Sequence, residues 1–494
     1  MLNSLIFDDS VIVFWDRMEL PKGAEYCLSL NGECIGRTSK THYTFVGLLP
    51  QREYQIVLAM EQNGEYTELD ALCVTTQAKK RRIDVTKPPY NAVGDGATLN
   101  TAAVQRAMDD CGVGDVVYFP QGTFLCGAIR LHSDMEVYLE EGATLLGSAQ
   151  VEDYQPKIPS RFEGLEMQCL SSLINIGWLD KDAGYTTKNV VIRGAGKIVG
   201  GGKELCQNVI ESETILLQEY LASLGDEILE YERADTIAGR VRPRLVNINN
   251  AQNVVICGVG IEKSASWNVH IVYSDNVVTC GCRFESFGIR NGDGWNPDSS
   301  TNCTIFDCYF DVGDDCVAIK SGKNPEGNRI AKPCKNIKIF DCYSAKGHGV
   351  AIGSELSGGV DGVYIWDCDF IHSLCGLHIK TTKKRGGYAK NIFVSDTKIA
   401  SVNIRTVSFN DDGESSNETT EFENIVLNNV YLAGLKYLDE ARNEPCNAIV
   451  VAVQGFALKG LRMENVVIGD GQLTDLSSVA CLPEVSLQNV RCGE

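Results

Sequence analysis

One pattern constrains this chain more than any other, and it runs from about residue 84 onward. A turn residue, usually Asn or Gly, introduces three or four alternating apolar positions, and a polar turn and a second short strand follow. NVVICGVGIEKS, NVVTCGCRFES, NCTIFDCYFDV, NIKIFDCYSAK, GVYIWDCDFIH, NIFVSDTKIAS and NIVLNNVYLAG are copies of this unit. Their starts at Asn253, Asn276, Asn302, Asn336, Gly362, Asn391 and Asn424 differ by roughly 23 to 34 residues, the irregular spacing of a solenoid whose loops vary in length. Short strands without hairpin signals predict an all-β, right-handed parallel β-helix, because a coil that cannot bury its inward face alone must stack on its neighbours. Cys282, Cys308, Cys342 and Cys368 hold the same place in CGCRF, FDCYF, FDCYS and WDCDF. Stacking predicts one internal ladder of buried thiols, with packing as their role.

The 20 cysteines include no CxxC pair, so neither a metal nor another cofactor is expected. The start, MLNSLIFDDSVIVFW, carries Asp8 and Asp9 where a leader would carry a basic region. No apolar run reaches about 18 residues. The expectation is a cytoplasmic protein with reduced thiols. The formal charge of −20 argues against a nucleic-acid partner and against an anionic membrane surface. An acidic substrate would need a local basic patch working against that field. A homo-oligomer is compatible with the composition.

Residues 1–80 follow a different rule. VIVFW (11–15), EYCLSL (25–30), HYTFVGL (42–48), REYQIVLAM (52–60) and ALCVTT (71–76) are short alternating strands at β-sandwich spacing. The run TFVGLLPQREYQIVLAM resembles a fibronectin type III domain around its tyrosine corner, with Leu48, Pro50 and Tyr54 at the corner and Trp15 in the core. Lys79, Lys80, Arg81 and Arg82 form a charged linker. The solenoid is placed at 84–494, opening with a helix capped by Asn100 or Thr101 and carrying Val104, Ala107 and Met108 on its apolar face. ESETILLQEYLASLGDEILEYERADTIAG (211–239) has helical spacing. It marks an insertion at about 206–240 and a candidate wall or lid for a site.

Four rungs superpose without gaps: GDGWNPDSS (292–300), DDCVAIKSG (314–322), HGVAIGSE (348–355) and CGLHIKTT (375–382). Asp298, Lys320, Gly353 and Lys380 fall in one column, and Asn296, Ala318, Ala351 and His378 in another. Five residues before the first column stand Asp293, Asp315, His348 and Cys375. Neighbouring parallel strands lie about 4.7–4.9 Å apart, so Asp293, Asp315 and His348 are expected along one groove edge with Asp314 beside them. Close carboxylates push one pKa upward. A carboxylic acid kept protonated beside ionised ones is what glycosidic-bond cleavage needs. Trp295, in the same rung, either stacks on a sugar face or packs beneath the site. His270, in SWNVHIV one rung earlier, is a candidate substrate contact.

NGDG (291–294), GDDCVAIKSG (313–322), GHG (347–349) and HIK (378–380) resemble the motif blocks of glycoside hydrolase family 28, the polygalacturonases. The flanking GDGATLNTAAVQRAM, FPQGTFLCG, LEEGATLLGS, RPRLVNI, SWNVHIV and IGSELSGGV are also similar, so the resemblance runs from about Asp84 to the C-terminus. It implies Asp315 as general acid, and Asp293 and Asp314 as the pair that holds and deprotonates water. His348 would tune the acid or hold the sugar, and Lys380 would contact a galacturonosyl carboxylate. Lys320, Arg385, Asn291 and Glu355, in or near the matched blocks, complete the substrate-binding set. The family inverts the anomeric centre, whereas carboxylates one strand spacing apart would by themselves suggest retention. Fibronectin-like N-terminal domains occur on exo-acting members. The implied activity is therefore exo-acting, inverting release of terminal galacturonosyl units from short pectic oligosaccharides.

His378 departs from the family pattern, which has Arg there. Arg offers a fixed fork to a uronate carboxylate, while His is shorter and largely neutral at pH 7. Leu374 and Cys375 also stand where a polar or basic pair is frequent. Lys320, Lys380, Arg385 and Lys383 or Lys384 remain as a thinner basic patch. The alternative substrate is a neutral rhamnosyl, xylosyl or apiosyl glycoside, cleaved by the same acid and base. A calcium-assisted pectate lyase and a non-catalytic carbohydrate-binding solenoid are the rival classes.

Overall fold

The computed structural model describes residues 1–21, 23–231, 233–439, 442–469 and 476–493. The chain divides into two compact units, Met1–Arg82 and Ile83–Glu494. The first holds a three-stranded antiparallel sheet (Asn3–Ile6, Ser10–Phe14, His42–Val46) and a four-stranded one (Glu33–Thr38, Glu25–Leu30, Glu53–Gln62, Glu65–Thr75). Alternating residues of both sheets, among them Val11, Val13, Tyr26, Leu28, Ile56 and Leu58, share one core with Trp15. Tyr54 Oη accepts a hydrogen bond from the Leu49 amide at 2.9 Å.

The second unit is a right-handed parallel β-helix. Ten parallel strands, from Ile129–Leu131 to Ile449–Ala452, form one face, and a 23-stranded sheet supplies the rest of the wall. Interior positions alternate along each strand, as the period of two requires. Val254, Ile256, Val277, Ile305, Ile337, Ile339, Val363 and Ile392 are all buried in one continuous core. The recurrent Asn has a physical cause. Asn189, Asn253, Asn276, Asn302, Asn336, Asn391 and Asn424 all take left-handed backbone at φ of 50–58°, which Asn tolerates better than most side chains. Their carboxamides then bond from coil to coil: Asn276 to Asn253 at 2.8 Å, Asn336 to Asn302 at 2.7 Å and Asn424 to Asn391 at 2.8 Å.

Cys282, Cys308, Cys342 and Cys368 stack inside the core, and each thiol donates to the carbonyl two residues earlier at 3.2–3.3 Å. All 20 cysteines are free. The opening helix spans Thr101–Asp109 and buries Val104, Ala107 and Met108. Asn100 is the N-cap, its carbonyl accepting from the Val104 amide at 2.9 Å, but its side chain makes no cap bond. Asn100 accepts from the Val93 amide, and Thr101 accepts from Gly127. Helices do interrupt the solenoid, at Gly202–Leu216, Gln218–Ser223 and Thr236–Gly239, and Glu232 between them lies outside the described residues. A β-hairpin, Ile158–Phe162 with Leu165–Cys169, is a second excursion.

Candidate active site

Strand parity decides which residues of the ten-stranded face can act. In Trp295–Asp298, Val317–Ile319, Gly349–Ile352 and Gly376–Thr381 the inward positions are Trp295, Val317, Ile319, Val350, Ile352, Leu377 and Ile379, all in the core. The outward column holds Asp298 against Lys320, and the register continues through Gly353 to Lys380. Asp293, Asp315 and His348 precede these strands by equal offsets and so meet at one edge. Gly349 makes room for this edge. Its φ is +81°, and a Cβ there would meet the Gly376 carbonyl oxygen at 2.2 Å.

These groups line a cavity of about 310 Å³ together with Asp314, Lys320, Glu355, Asn291, His378 and Lys380. His348 Nδ1 lies 3.0 Å from Asp314 Oδ1 and 3.5 Å from Asp315 Oδ1. Lys380 Nζ donates to Asp315 Oδ2 at 3.2 Å. Lys320 Nζ sits 3.7 Å from Asp293 and 3.5 Å from Glu355. Arg242 holds Asn291 at 2.8 Å. Among the described residues, Asp293 Oδ1 and Glu355 Oε2 are buried without a hydrogen-bond partner.

The electrostatics separate the carboxyls. Burial, then the charge of Asp314, pushes Asp293 well above the usual carboxylate range. Asp315 is equally buried, yet Lys380 and His348 hold it below that range. Burial would lower the His348 pKa, but Asp314 and Asp315 raise it to about 11. The environment thus pushes Asp293 toward its neutral form, Asp315 toward its ionised form and His348 toward a charged imidazole. Asp314, Asp315 and His348 are close enough to ligate one metal ion.

Three expected contacts lie elsewhere. Trp295 is inward, fully buried, with Nε1 bonded to Thr279 at 3.1 Å. It packs beneath the site and is not a sugar platform. His270 is outward but completely covered. It lies 3.4 Å from Asp298 and edge-on to Trp267, and burial lowers its pKa to about 4. Arg385 is enclosed by backbone carbonyls, donating to Ser354 at 2.7 Å and to Asn410. It shapes the loops and does not line the cavity.

Several lining residues were not foreseen. Trp267 forms part of the wall with Lys320 Nζ 4.5 Å above its ring. Phe162 from the hairpin stacks on Trp267 at 4.6 Å between centroids. Arg161 beside it reaches Asp298 at 3.1 Å. Arg240, just after the helical insertion, pairs with Glu163 at 2.7 Å and Asp412 at 2.9 Å, and buried Lys323 also pairs with Asp412. Phe409 and Arg405 complete the lining. Arg405 pairs in register with Lys380 one coil further on, so its signal was present in the coil spacing. Trp267 also has a periodic position: it stands two residues before Val269, which pairs with Trp295, and so shares the column of Asp293 and Asp315. The others lie off the ten-stranded face with no periodic position.

The family model for glycosyl hydrolases family 28 matches residues 183–485. An exo-poly-alpha-D-galacturonosidase of Dickeya chrysanthemi is 29% identical over 440 residues, 79% of this chain and 72% of that protein. A probable polygalacturonase of Vitis vinifera is 34% identical over 62% of this chain and 58% of its own length. Among solved structures, a family 28 exopolygalacturonase of Yersinia enterocolitica is similar in fold with a TM-score of 0.80 at 21% identity. That alignment covers 100% of this chain and 96% of the other. A hyperthermoactive exopolygalacturonase of Thermotoga maritima has a TM-score of 0.67 at 26% identity, covering 84% and 92%.

Proposed function

From the premise that the chain belongs to the family 28 glycosyl hydrolases, we propose that it is an exo-acting, inverting hydrolase that releases terminal galacturonosyl units from short pectic oligosaccharides. The observation that carries this reading is the cluster of Asp293, Asp314, Asp315 and His348 at one edge of a walled cavity, with Lys380 and Lys320 beside it. Asp315 protonates the leaving oxygen, Asp293 and Asp314 orient and deprotonate water, and His348 couples the two sides through Asp314 and Asp315. Exo action is supported by the name of the Dickeya relative. It is also supported by the loops carrying Glu163, Arg240 and Asp412, which meet in one ion-pair network at the cavity wall.

The upward push on Asp293 from burial and from Asp314 favours a second assignment, in which Asp293 is the acid. Coupled carboxyls titrate as a unit, so leaving-group dependence decides between the two. Asp315→Asn should lose about 10²–10⁴ in rate on galacturonide oligomers and recover most of it on a nitrophenyl galacturonide, whose leaving group needs no acid. The same rescue in Asp293→Asn alone would exchange the roles. Monogalacturonate as the only early product, with inverted configuration by proton NMR, is the expected outcome. Mid-chain cleavage would refute exo action, and turnover of neutral glycosides alone would refute the substrate.

The first unit is proposed to be a fibronectin type III domain. Its three-plus-four strand arrangement and the Tyr54–Leu49 bond support this. A reducing, cytoplasmic setting is proposed from the free, stacked thiols.

A further inference from the structure

The loss of Arg at position 378 raises a question the cavity itself can answer: which group meets the substrate's carboxylate? His378 is buried at the outward column, and burial together with Lys380 lowers its pKa to about 3. It is a neutral imidazole at working pH and supplies no positive charge. Lys380 and Lys320 are charged, but each already faces carboxylates: Lys380 faces Asp315, and Lys320 faces Asp293 and Glu355. An incoming anion would compete with these acids for the same ammonium groups.

Arg405 differs from both. It is half-buried at the cavity wall, and among the described residues no carboxylate lies within ion-pair distance of it. Among the described residues its side-chain hydrogen-bond partner is His378, whose Nε2 accepts from Arg405 Nε at 3.4 Å. That contact puts the imidazole proton on Nδ1 and orients the guanidinium. The edge bearing the two terminal nitrogens stays available for a two-point bond to a carboxylate, the geometry in which Arg excels. Arg405 also lines an adjoining hollow of about 430 Å³ with Lys383, Gln454, Phe409 and one carboxylate, Asp411. Phe409 is 40% exposed, and with Lys380 Nζ 5.7 Å from its ring centroid it has apolar ring surface to offer a sugar. The guanidinium thus stands where the catalytic cavity opens into this hollow.

We propose that Arg405, held in place by His378, recognises the carboxylate of a uronosyl unit lying between the catalytic cavity and the Phe409 hollow, and so replaces the missing Arg at position 378. The proposal rests on the galacturonide reading above and names the group that enforces it. The His–Arg pair is a rearranged clamp: the cation has moved one coil along the helix, and the residue at the old position has become its support.

The test compares digalacturonate with its methyl ester, which keeps the sugar and removes the negative charge. Wild type should favour the free acid in kcat/KM. Arg405→Gln should lose about 10- to 100-fold on the acid, chiefly through KM, with little change on the ester, so the preference collapses. Arg405→Lys, which keeps the charge without the fork, should recover part of it. The exchange His378→Arg/Arg405→His should restore more acid preference than Arg405→His alone. Binding of galacturonate to Asp315→Asn by calorimetry gives a readout independent of turnover. If wild type cleaves the acid and Arg405→Gln keeps both KM and the acid preference, the assignment is overturned while the galacturonide reading stands. If neither turnover nor galacturonate binding is seen in the parent proteins, both fall together.

Discussion

Lys380→Met isolates the interaction that keeps Asp315 ionised. The ammonium lies 3.2 Å from Asp315 Oδ2, and both groups are buried. At an effective dielectric of about 20, two unit charges at that distance attract by about 5 kcal/mol, an upper bound of about 4 pKa units at 1.36 kcal/mol per unit. His348, 3.5 Å away on the other oxygen, stays and supplies part of the field. The expected rise in the Asp315 pKa is therefore about 2 units, within the usual effect of one opposite charge. The sign follows from the direction of the wild-type shift. A carboxyl held below its unfolded value of about 3.9 stabilises the fold above that pH and loses the contribution as pH falls through its folded pKa. The stability gap between wild type and Lys380→Met should then be about 2–3 kcal/mol at pH 7 and narrow only below about pH 4. Carbon-13 NMR of labelled aspartate carboxyls, with Asp315→Asn as the assignment control, reads the pKa directly. Urea unfolding at neutral and acid pH reads the gap. An Asp315 that titrates at the same pH in both proteins would refute the account.

Arg161→Met should cost about 3–5 kcal/mol by leaving Asp298 buried with one partner fewer, seen in urea midpoints and as faster proteolysis of the 158–169 hairpin. An unchanged midpoint would mean that the pair at 3.1 Å does not hold the hairpin. His348 has its pKa raised to about 11, so its contribution to stability is complete below about pH 6.5 and declines as pH climbs toward 11. Melting curves between pH 6 and 10 should show this slope in wild type and a flatter one in His348→Gln. For a uronide substrate, kcat/KM should rise as salt shortens the screening length from about 30 Å to about 10 Å, because screening weakens repulsion by a chain of formal charge −20. A neutral glycoside would show no such rise.

The sequence carried everything that depends on coil spacing. The register from Asp298 through Lys320 and Gly353 to Lys380, the thiol ladder and the edge of Asp293, Asp315 and His348 all follow from equal offsets between rungs. Each is in place. Parity within each strand also decides which side chains face out. Trp295 and Pro297 alternate with outward Asn296 and Asp298, so Trp295 had to face the core. His270 is outward, as its column implies, but the hairpin that covers this region is not part of the periodic pattern. Arg161, Phe162 and Glu163 belong to that excursion, and Phe409 and Asp412 to another loop. Their approach to the cavity depends on loop conformation, which no repeat encodes. Arg405 is the intermediate case: its column was legible, but its reach back to His378 depends on a side chain spanning neighbouring coils.

The net charge changes meaning once partners are assigned. A strongly acidic chain suggests poor tolerance of a polyanion, and a count of basic groups in the cavity does not relieve that concern, since acids line it too. What matters is which cation is uncommitted. Lys320 and Lys380 divide their charge among Asp293, Asp315 and Glu355, and Lys380 holds Asp315 below the usual range while burial and Asp314 push Asp293 above it, the separation that acid–base cleavage requires. Lysines that perform that task cannot at the same time be strong anion sites, because an added carboxylate would loosen the pairs that tune the acids. Recognition of a uronate is better placed on a separate cation outside this network, near enough to orient the sugar. Arg405 meets that condition, with His378 as its support. On this view the substitution at position 378 divides two tasks between neighbouring coils and leaves the anionic substrate its own binding group.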